Sequence, residues 1–387
     1  MEIIDLRQIH SLSTNKLLKK LERFLKSIDF KNKRILFVCE DMTRSLPVKL
    51  FFPYVLRYVK KKTQNITVLF ALGTHRLMTR KEMFKKLGIS APQASNIKMV
   101  NHSPNDDSHL VAIGKINKVT YKTNKEIINH DLIIGISNTL PHKVMGFSGG
   151  VKLLCVGTGN KEFIDYSHTL SNSFKENQIV TKINNPMRDL LNKTFHLLQK
   201  KVKAQFYSLN FVATPEKIVD TFCGRFISAY QLAARKSYET FIKKVEPCQS
   251  ILAILDPKSL DFWQAAKAVY NCAPAIKRNG SIVLAGLLPE GISPIHGKII
   301  EKFGYQKESQ IKKLMASGKL KNVVVASHMI RVARCLDRIK VIISSKNIDE
   351  KTCKKINFGY LNSSKILLEK FDYVVYNPID ITLIPIR

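Results

Sequence analysis

Between residues 15 and 150, short apolar runs alternate with stretches of helical periodicity. "RILFV" (34–38), "ITVLFAL" (66–72), "NIKMV" (96–100) and "DLIIGIS" (131–137) are nearly continuous in apolar residues. That is the pattern of parallel strands covered on both faces. Between them, "VKLFFPYVLRYVKKK" and "TRKEMFKKLG" supply crossover helices, the second predicted to open on Thr79 as N-cap and to stop before Gly88. Ahead of the first strand, "KLLKKLERFLK" sets leucines and a phenylalanine at helical spacing with lysines between, which reads as a helix with a solvated face. The alternation predicts an α/β domain, Rossmann-like, with a mostly parallel sheet.

A second α/β pattern begins near Glu246. "SILAILD", "GSIVLAG" and "VIISS" read as strands, and "DFWQAAKAVYNCAPAIKR" and "SQIKKLMASG" as helices. The reading is two α/β domains with an active-site cleft between them: 1–242 for catalysis and cofactor binding, and 243–369 as a C-terminal domain. The strand-like segment 370–387 is expected to return to the first domain.

At 387 residues the chain is long enough for two hydrophobic cores. The net charge of +33 changes the picture more, because such a field attracts polyanions. The lysines are spread along the chain, however, and no zinc-finger, helix-turn-helix or RNP motif accompanies them. Attraction for small anions is the expectation, with no specific nucleic acid as partner; a basic nucleic-acid binder stays as an alternative. No apolar run is long enough to span a bilayer, and "MEIIDLRQIH" lacks the apolar core of a secretory signal. None of the seven cysteines has C-x-x-C spacing. A cytoplasmic protein without a membrane partner is expected.

In open α/β sheets, ligands sit beyond the carboxyl ends of the strands. There the sequence offers Asp41, Thr43 and Arg44 after the first strand and His75 after the second. After "DLIIGIS" come His142, the loop "GFSGGVK" with Ser148, Gly149 and Gly150, and then Lys152. Two histidines, an arginine and a glycine loop on one rim favour a site over scattered structural residues. The loop is not a P-loop, since Leu153 stands where Ser or Thr must follow the lysine. Its glycines alone leave a simple turn and an anion cradle equally open.

Taken together, "DMTRSLP", "ALGTHRLMT", "PHKVMGFSGGVK", a later histidine and "FWQAAK" resemble the lactate racemase family, whose members use a nickel-pincer nucleotide. The elements run in family order from about residue 39 to about 290. Their spacing matches too: His142 precedes Lys152 by ten residues, and His168 follows it by sixteen. The resemblance implies a pyridinium bis-thiocarboxylate mononucleotide tethered covalently to Lys152, with nickel completed by His168. It implies acid/base roles for His75 and His142. Arg44 and Lys267 would clamp a small anionic 2-hydroxy acid, with Gln264 and Trp263 beside them. Asp41, Thr43, Ser148, Gly149 and Gly150 would hold the cofactor's ribose and phosphate. Separate maturation proteins would supply the cofactor. Asp41 as a turn residue and Trp263 as a core residue stay open. Val151 stands where the family commonly has arginine, and "LLCVGTGN" departs from the usual continuation. A non-catalytic anion-binding relative of the same fold is the second reading.

Overall fold

The apolar runs become strands. In the computed structural model, which describes residues 1–257 and 259–386, β1 (Ile35–Cys39), β2 (Ile66–Phe70) and β4 (Leu132–Asn138) are buried from end to end. With β3 (Ile97–Asn101), β5 (Gln205–Ala213) and β6 (Ile218–Gly224) they form one sheet in the order β3-β2-β1-β4-β5-β6. The first five strands are parallel, and β6 closes the edge antiparallel to β5. From β1 the chain steps outward to β2 and β3, then returns to the other side of β1 as β4. The carboxyl ends of β1 and β4 therefore flank a topological switch point, where loops diverge and leave a crevice.

One face of this sheet packs on α1 (Thr14–Lys26) and α2 (Phe52–Lys60). Leu17, Leu21, Phe24 and Leu25 of α1 are buried, while Lys16, Lys19, Lys20 and Lys26 are exposed, so the solvated-face reading holds. Phe37 meets Phe52 edge to face at 5.4 Å, and Phe51 stacks on Phe211 at 4.2 Å. Each such buried leucine or phenylalanine contributes roughly 1.5–3 kcal/mol. The helix α3 (Arg80–Leu87) starts and stops where its sequence indicates. Thr79 Oγ1 accepts from the Glu82 N–H at 3.2 Å while the Glu82 carboxylate accepts from the Thr79 N–H at 2.8 Å. Gly88 ends it at φ 67°, and a Cβ there would lie 2.6 Å from Lys49.

The chain divides into two units, His10–Glu239 and a second made of Met1–Ile9 with the chain from Thr240 onward. The second holds a parallel sheet of its own, including Cys248–Ile254, Ile276–Ala285 and Lys340–Ser344. The C-terminal segment does not return to the first unit. Tyr373–Tyr376 pairs on one edge with Cys248–Ile254 and on the other with Glu2–Asp5, so both of its hydrogen-bonding edges are taken within the second sheet. The long helix expected over 261–278 is also broken, into Phe262–Ala265 and Lys267–Cys272. Pro274 cannot extend an α-helix from within, and the chain is already a strand at Ile276. No helix among the described residues is long and apolar enough to cross a membrane.

Candidate active site

Leaving β1, the chain turns through Glu40–Leu46; leaving β2, it turns through Gly73 to His75. These two turns bring Asp41, Thr43, Arg44 and His75 together. Asp41 Oδ2 lies 2.9 Å from His75 Nδ1, and Asp41 Oδ1 accepts from the Thr43 N–H at 2.7 Å. Thr43 Oγ1 is 3.2 Å from the same imidazole nitrogen. Burial alone would raise the Asp41 carboxyl. The charge and hydrogen bond of His75, the Arg44 guanidinium and the Thr43 donor outweigh it and hold the group well below the usual carboxylate range. An ionised carboxylate only accepts, so the His75 nitrogen facing Asp41 is Nδ1–H, and once the ring has given up its second proton its lone pair is on Nε2. Arg44 Nη2 stands 3.5 Å from that Nε2. Asp41, expected among the cofactor-holding residues, thus has both oxygens engaged by the protein.

His142 sits in a short hairpin that pairs Pro141 with Phe147 and itself with Gly146. The Val144 N–H donates to His142 Nδ1 at 3.2 Å. The neutral ring therefore bears its proton on Nε2, the opposite tautomer to His75. Both rings are half-buried. Ser148 closes the same loop, its Oγ donating to Asn138 O at 2.8 Å and accepting from the Leu140 N–H at 2.9 Å.

Gly149 and Gly150 follow at φ 75° and 60°. A Cβ on Gly149 would lie 2.5 Å from Thr139 Oγ1, and one on Gly150 2.7 Å from the Tyr230 side chain. The loop's own packing thus demands glycine at both positions, whatever else it binds. Behind the loop is a residue that sequence reading missed, Arg188 of α6 (Pro186–Lys201). Its buried guanidinium donates to the carbonyls of Met145 (3.3 Å), Gly149 (3.1 Å) and Phe147, and lies over the Tyr230 ring at 3.9 Å. Lys152 opens α4 (Lys152–Cys155) and is half-buried.

A turn over Val156–Asn160 leads into α5 (Lys161–Asn172), which carries His168. His168 Nδ1 is 2.8 Å from Ile164 O, one helical turn earlier. A carbonyl only accepts, so the proton is on Nδ1 and the lone pair on Nε2. This is the arrangement of a metal-ligating histidine whose second nitrogen is held by a backbone carbonyl. Among the described residues no three His, Cys, Asp or Glu are grouped to hold a metal by themselves. His168 suits a metal whose other ligands come from elsewhere.

Backbone bonds tie the strand-end loops together. The Gly73 N–H donates to Gly157 O at 3.0 Å, joining the His75 turn to the segment after Lys152. The Gly150 N–H donates to Asn210 Oδ1 at 3.0 Å, and Ser137 Oγ to the same oxygen at 2.8 Å, joining the glycine loop to β4 and β5.

In the second unit, Lys267 Nζ donates to Gln264 Oε1 at 2.5 Å, so these two side chains do share a face. Trp263 packs against two imidazoles, with the His328 ring centroid at 4.1 Å and that of His296 at 4.3 Å. Neither contact was disclosed by the tryptophan's place in the sequence. His328 is hydrogen-bonded to Tyr305 Oη at 2.8 Å, and burial, with His296, Lys267 and Arg331 nearby, pushes it down to about 3.

Residues 14–180 match the family described as the lactate racemase N-terminal domain. Over that stretch the chain is similar to a lactate racemase N-terminal domain. The lactate racemase of Thermoanaerobacterium thermosaccharolyticum is 25% identical over 369 residues, covering 91% of this chain and 83% of that protein. In fold, the chain matches the apoprotein structure of the lactate racemase from that organism with a TM-score of 0.80 at 19% identity, over 99% of this chain and 94% of the other. A Thermotoga maritima protein of known crystal structure matches with a TM-score of 0.86 at 24% identity, over 97% and 99%. The resemblance read from the motifs is borne out. Lactate racemase similarity supports an isomerase of the racemase type.

Proposed function

We propose that this protein racemises or epimerises a 2-hydroxy acid and does so with a nickel-pincer nucleotide. The observation that carries the reading is the pair of opposite tautomers: His75 offers a lone pair at Nε2, with Asp41 behind it, while His142 offers a proton at Nε2. A racemase working through a planar keto acid needs one such group for each enantiomer's hydroxyl.

His75 Nε2 takes the hydroxyl proton of one enantiomer, and the ionised Asp41 stabilises the imidazolium that results. His142 serves the other enantiomer in the reverse sense: its imidazolium form, not the neutral ring, gives the Nε2 proton to that alkoxide. Arg44, beside His75, holds the substrate carboxylate through its planar fork. On the second unit, Lys267 and Gln264, hydrogen-bonded to each other, are the residues to which the resemblance gives a substrate-holding role, with Trp263 beside them in the chain. Thr43 and the Ser148–Gly150 loop line the nucleotide end. The donor set fits the cofactor, since His168 presents an unprotonated Nε2 and Lys152 a side-chain amine at a helix start. Bound there, a pincer nucleotide would supply a hydride acceptor and donor, the chemistry that inversion at the carbinol carbon requires.

The protein belongs to a system in which maturation proteins make the cofactor, and it acts on a small soluble anion, in the cytoplasm. The test is production alongside a nickel-pincer maturation system, followed by intact-mass and metal analysis and a chiral assay over 2-hydroxy acids. An adduct on Lys152, about one nickel per chain and racemisation of at least one substrate are expected, as tight active-site metal binding requires. An unmodified Lys152, with the adduct present on a control racemase, would instead favour the non-catalytic anion binder.

A further inference from the structure

A buried ion pair underlies the turn that carries Arg44. Glu40 and Lys86 are each 6% exposed, and Glu40 Oε1 lies 3.5 Å from Lys86 Nζ. Lys86 belongs to α3 and reaches under the turn, where Nζ donates to Arg44 O at 3.0 Å and to Leu46 O at 3.1 Å. The ammonium thus has three acceptors for its three N–H bonds. The Glu40 carboxylate is similarly occupied: Oε1 accepts from the Leu46 N–H at 3.3 Å, and Oε2 from the Asn138 N–H at 2.8 Å.

Asn138 continues the network. Its Nδ2 donates to Ser45 Oγ at 3.1 Å and to Ala213 O at 2.8 Å, and its carbonyl accepts from Ser148 Oγ at 2.8 Å. A continuous chain therefore runs from α3 through Lys86, Glu40 and Asn138 to Ser148. It spans the switch point between β1 and β4 and joins the turn bearing Asp41, Thr43 and Arg44 to the loop bearing His142 and Ser148.

We infer that Lys86 and Glu40 are positioning residues that hold the Arg44 turn against the His142 loop, so that substrate clamp and acid/base groups keep one relative geometry. A buried charge pair is a poor device for stability alone, because an apolar pair of the same volume stabilises at least as well. Its value is geometric: four hydrogen bonds, to the turn's backbone and to the end of β4, fix where Arg44 stands. This inference rests on the proposed racemase reading for its kinetic consequence, though not for its structural one.

The test uses the double variant E40Q/K86M. It removes both charges together, so no unpaired charge is buried, and it leaves an amide oxygen able to accept from Asn138. K86M alone is the companion. In the apo-protein, hydrogen–deuterium exchange of peptides covering 41–46 and 138–148 is expected to accelerate by on the order of tenfold, with the rest of the first unit unchanged, as for a local opening. In the loaded enzyme, KM for the 2-hydroxy acid is expected to rise by about tenfold while kcat falls less, the pattern of a lost ground-state clamp. Unaltered exchange in both segments would overturn the inference, as would equal acceleration across the whole unit, which marks a merely structural role. If the loaded wild type racemises nothing, the functional reading fails, and exchange still decides whether the network couples the two loops.

Discussion

Asp41 Oδ2 and His75 Nδ1 lie 2.9 Å apart, and the carboxylate is 2% exposed. Its other oxygen accepts from the Thr43 N–H, so neither oxygen can be replaced by a donor without loss. In D41N the amide has one acceptor for two donors. Either the Thr43 N–H or the His75 Nδ1–H is left facing an NH2 group, and the favoured escape is a flip of the His75 proton to Nε2. Racemisation by the loaded D41N enzyme is expected to fall by on the order of ten-thousandfold with little change in KM, the scale seen when a carboxylate–imidazole pair loses its tautomer control. Steady-state kinetics with a chiral readout check this. A loss below about fivefold would show that Asp41 serves something other than His75.

With His75 and His142 on separate loops, each is assigned the hydroxyl of one enantiomer, so the two predict opposite half-reactions. Removing either base stops full racemisation, but the remaining one still serves its own enantiomer. In single turnovers of the loaded enzyme, H75A is expected to form keto acid from one enantiomer only and H142A from the other only. Rapid quench followed by chiral analysis reads this directly. If both variants accept the same enantiomer, the two histidines do not act on opposite partners.

How much of this was legible beforehand follows from what kind of pattern each element leaves in a sequence. The strands β1, β2 and β4 are apolar throughout because both faces are covered, and such runs announce themselves. The cap at Thr79 and the stop at Gly88 are local chemistry within ten residues. The order of polar residues after the strands, with the family spacing, brought out Arg44, His75, His142, Lys152 and His168. Partnerships across the chain were not visible. Asp41 looked like a phosphate-side residue until the fold brought it to His75, 34 positions away. Arg188 and Lys86 carry no local signature, since a buried charge in an amphipathic helix looks like any surface lysine or arginine. The edge pairing of Tyr373–Tyr376 with Glu2–Asp5 joins opposite ends of the chain, a contact that no local periodicity encodes.

The His168 tautomer bears on nickel rather than on the tether. Lys152 offers the amine and His168 the lone pair, on different helices, so the two attachments separate by mutation. In H168A produced with the maturation system, intact mass is expected to keep the Lys152 adduct while nickel content falls by about tenfold or more, the usual scale for losing a ligand or its support. In K152A both are expected to vanish. An H168A protein that keeps full nickel would remove His168 from the metal site.

A pH-dependent stability prediction comes from the second unit. Asp261 accepts from the Gln264 N–H at 2.9 Å as the N-cap ahead of Trp263. Burial raises its carboxyl from 3.8 to about 6, helped by Glu290 and opposed by the Gln264 N–H and Lys267. Because the folded pKa lies above the unfolded one, the folded state binds this proton more tightly. The stability it contributes is full below about pH 4 and is lost as pH rises through about 6. D261N keeps the oxygen that caps the helix and removes the titration. Urea unfolding should find D261N close to wild type at about pH 4 and more stable by about 2–3 kcal/mol at about pH 7, since each tenfold difference in proton affinity between the folded and unfolded states is worth roughly 1.4 kcal/mol. Parallel pH profiles for the two proteins would show instead that Asp261 is ionised in the folded state across this range, with Lys267 close enough to hold its charge.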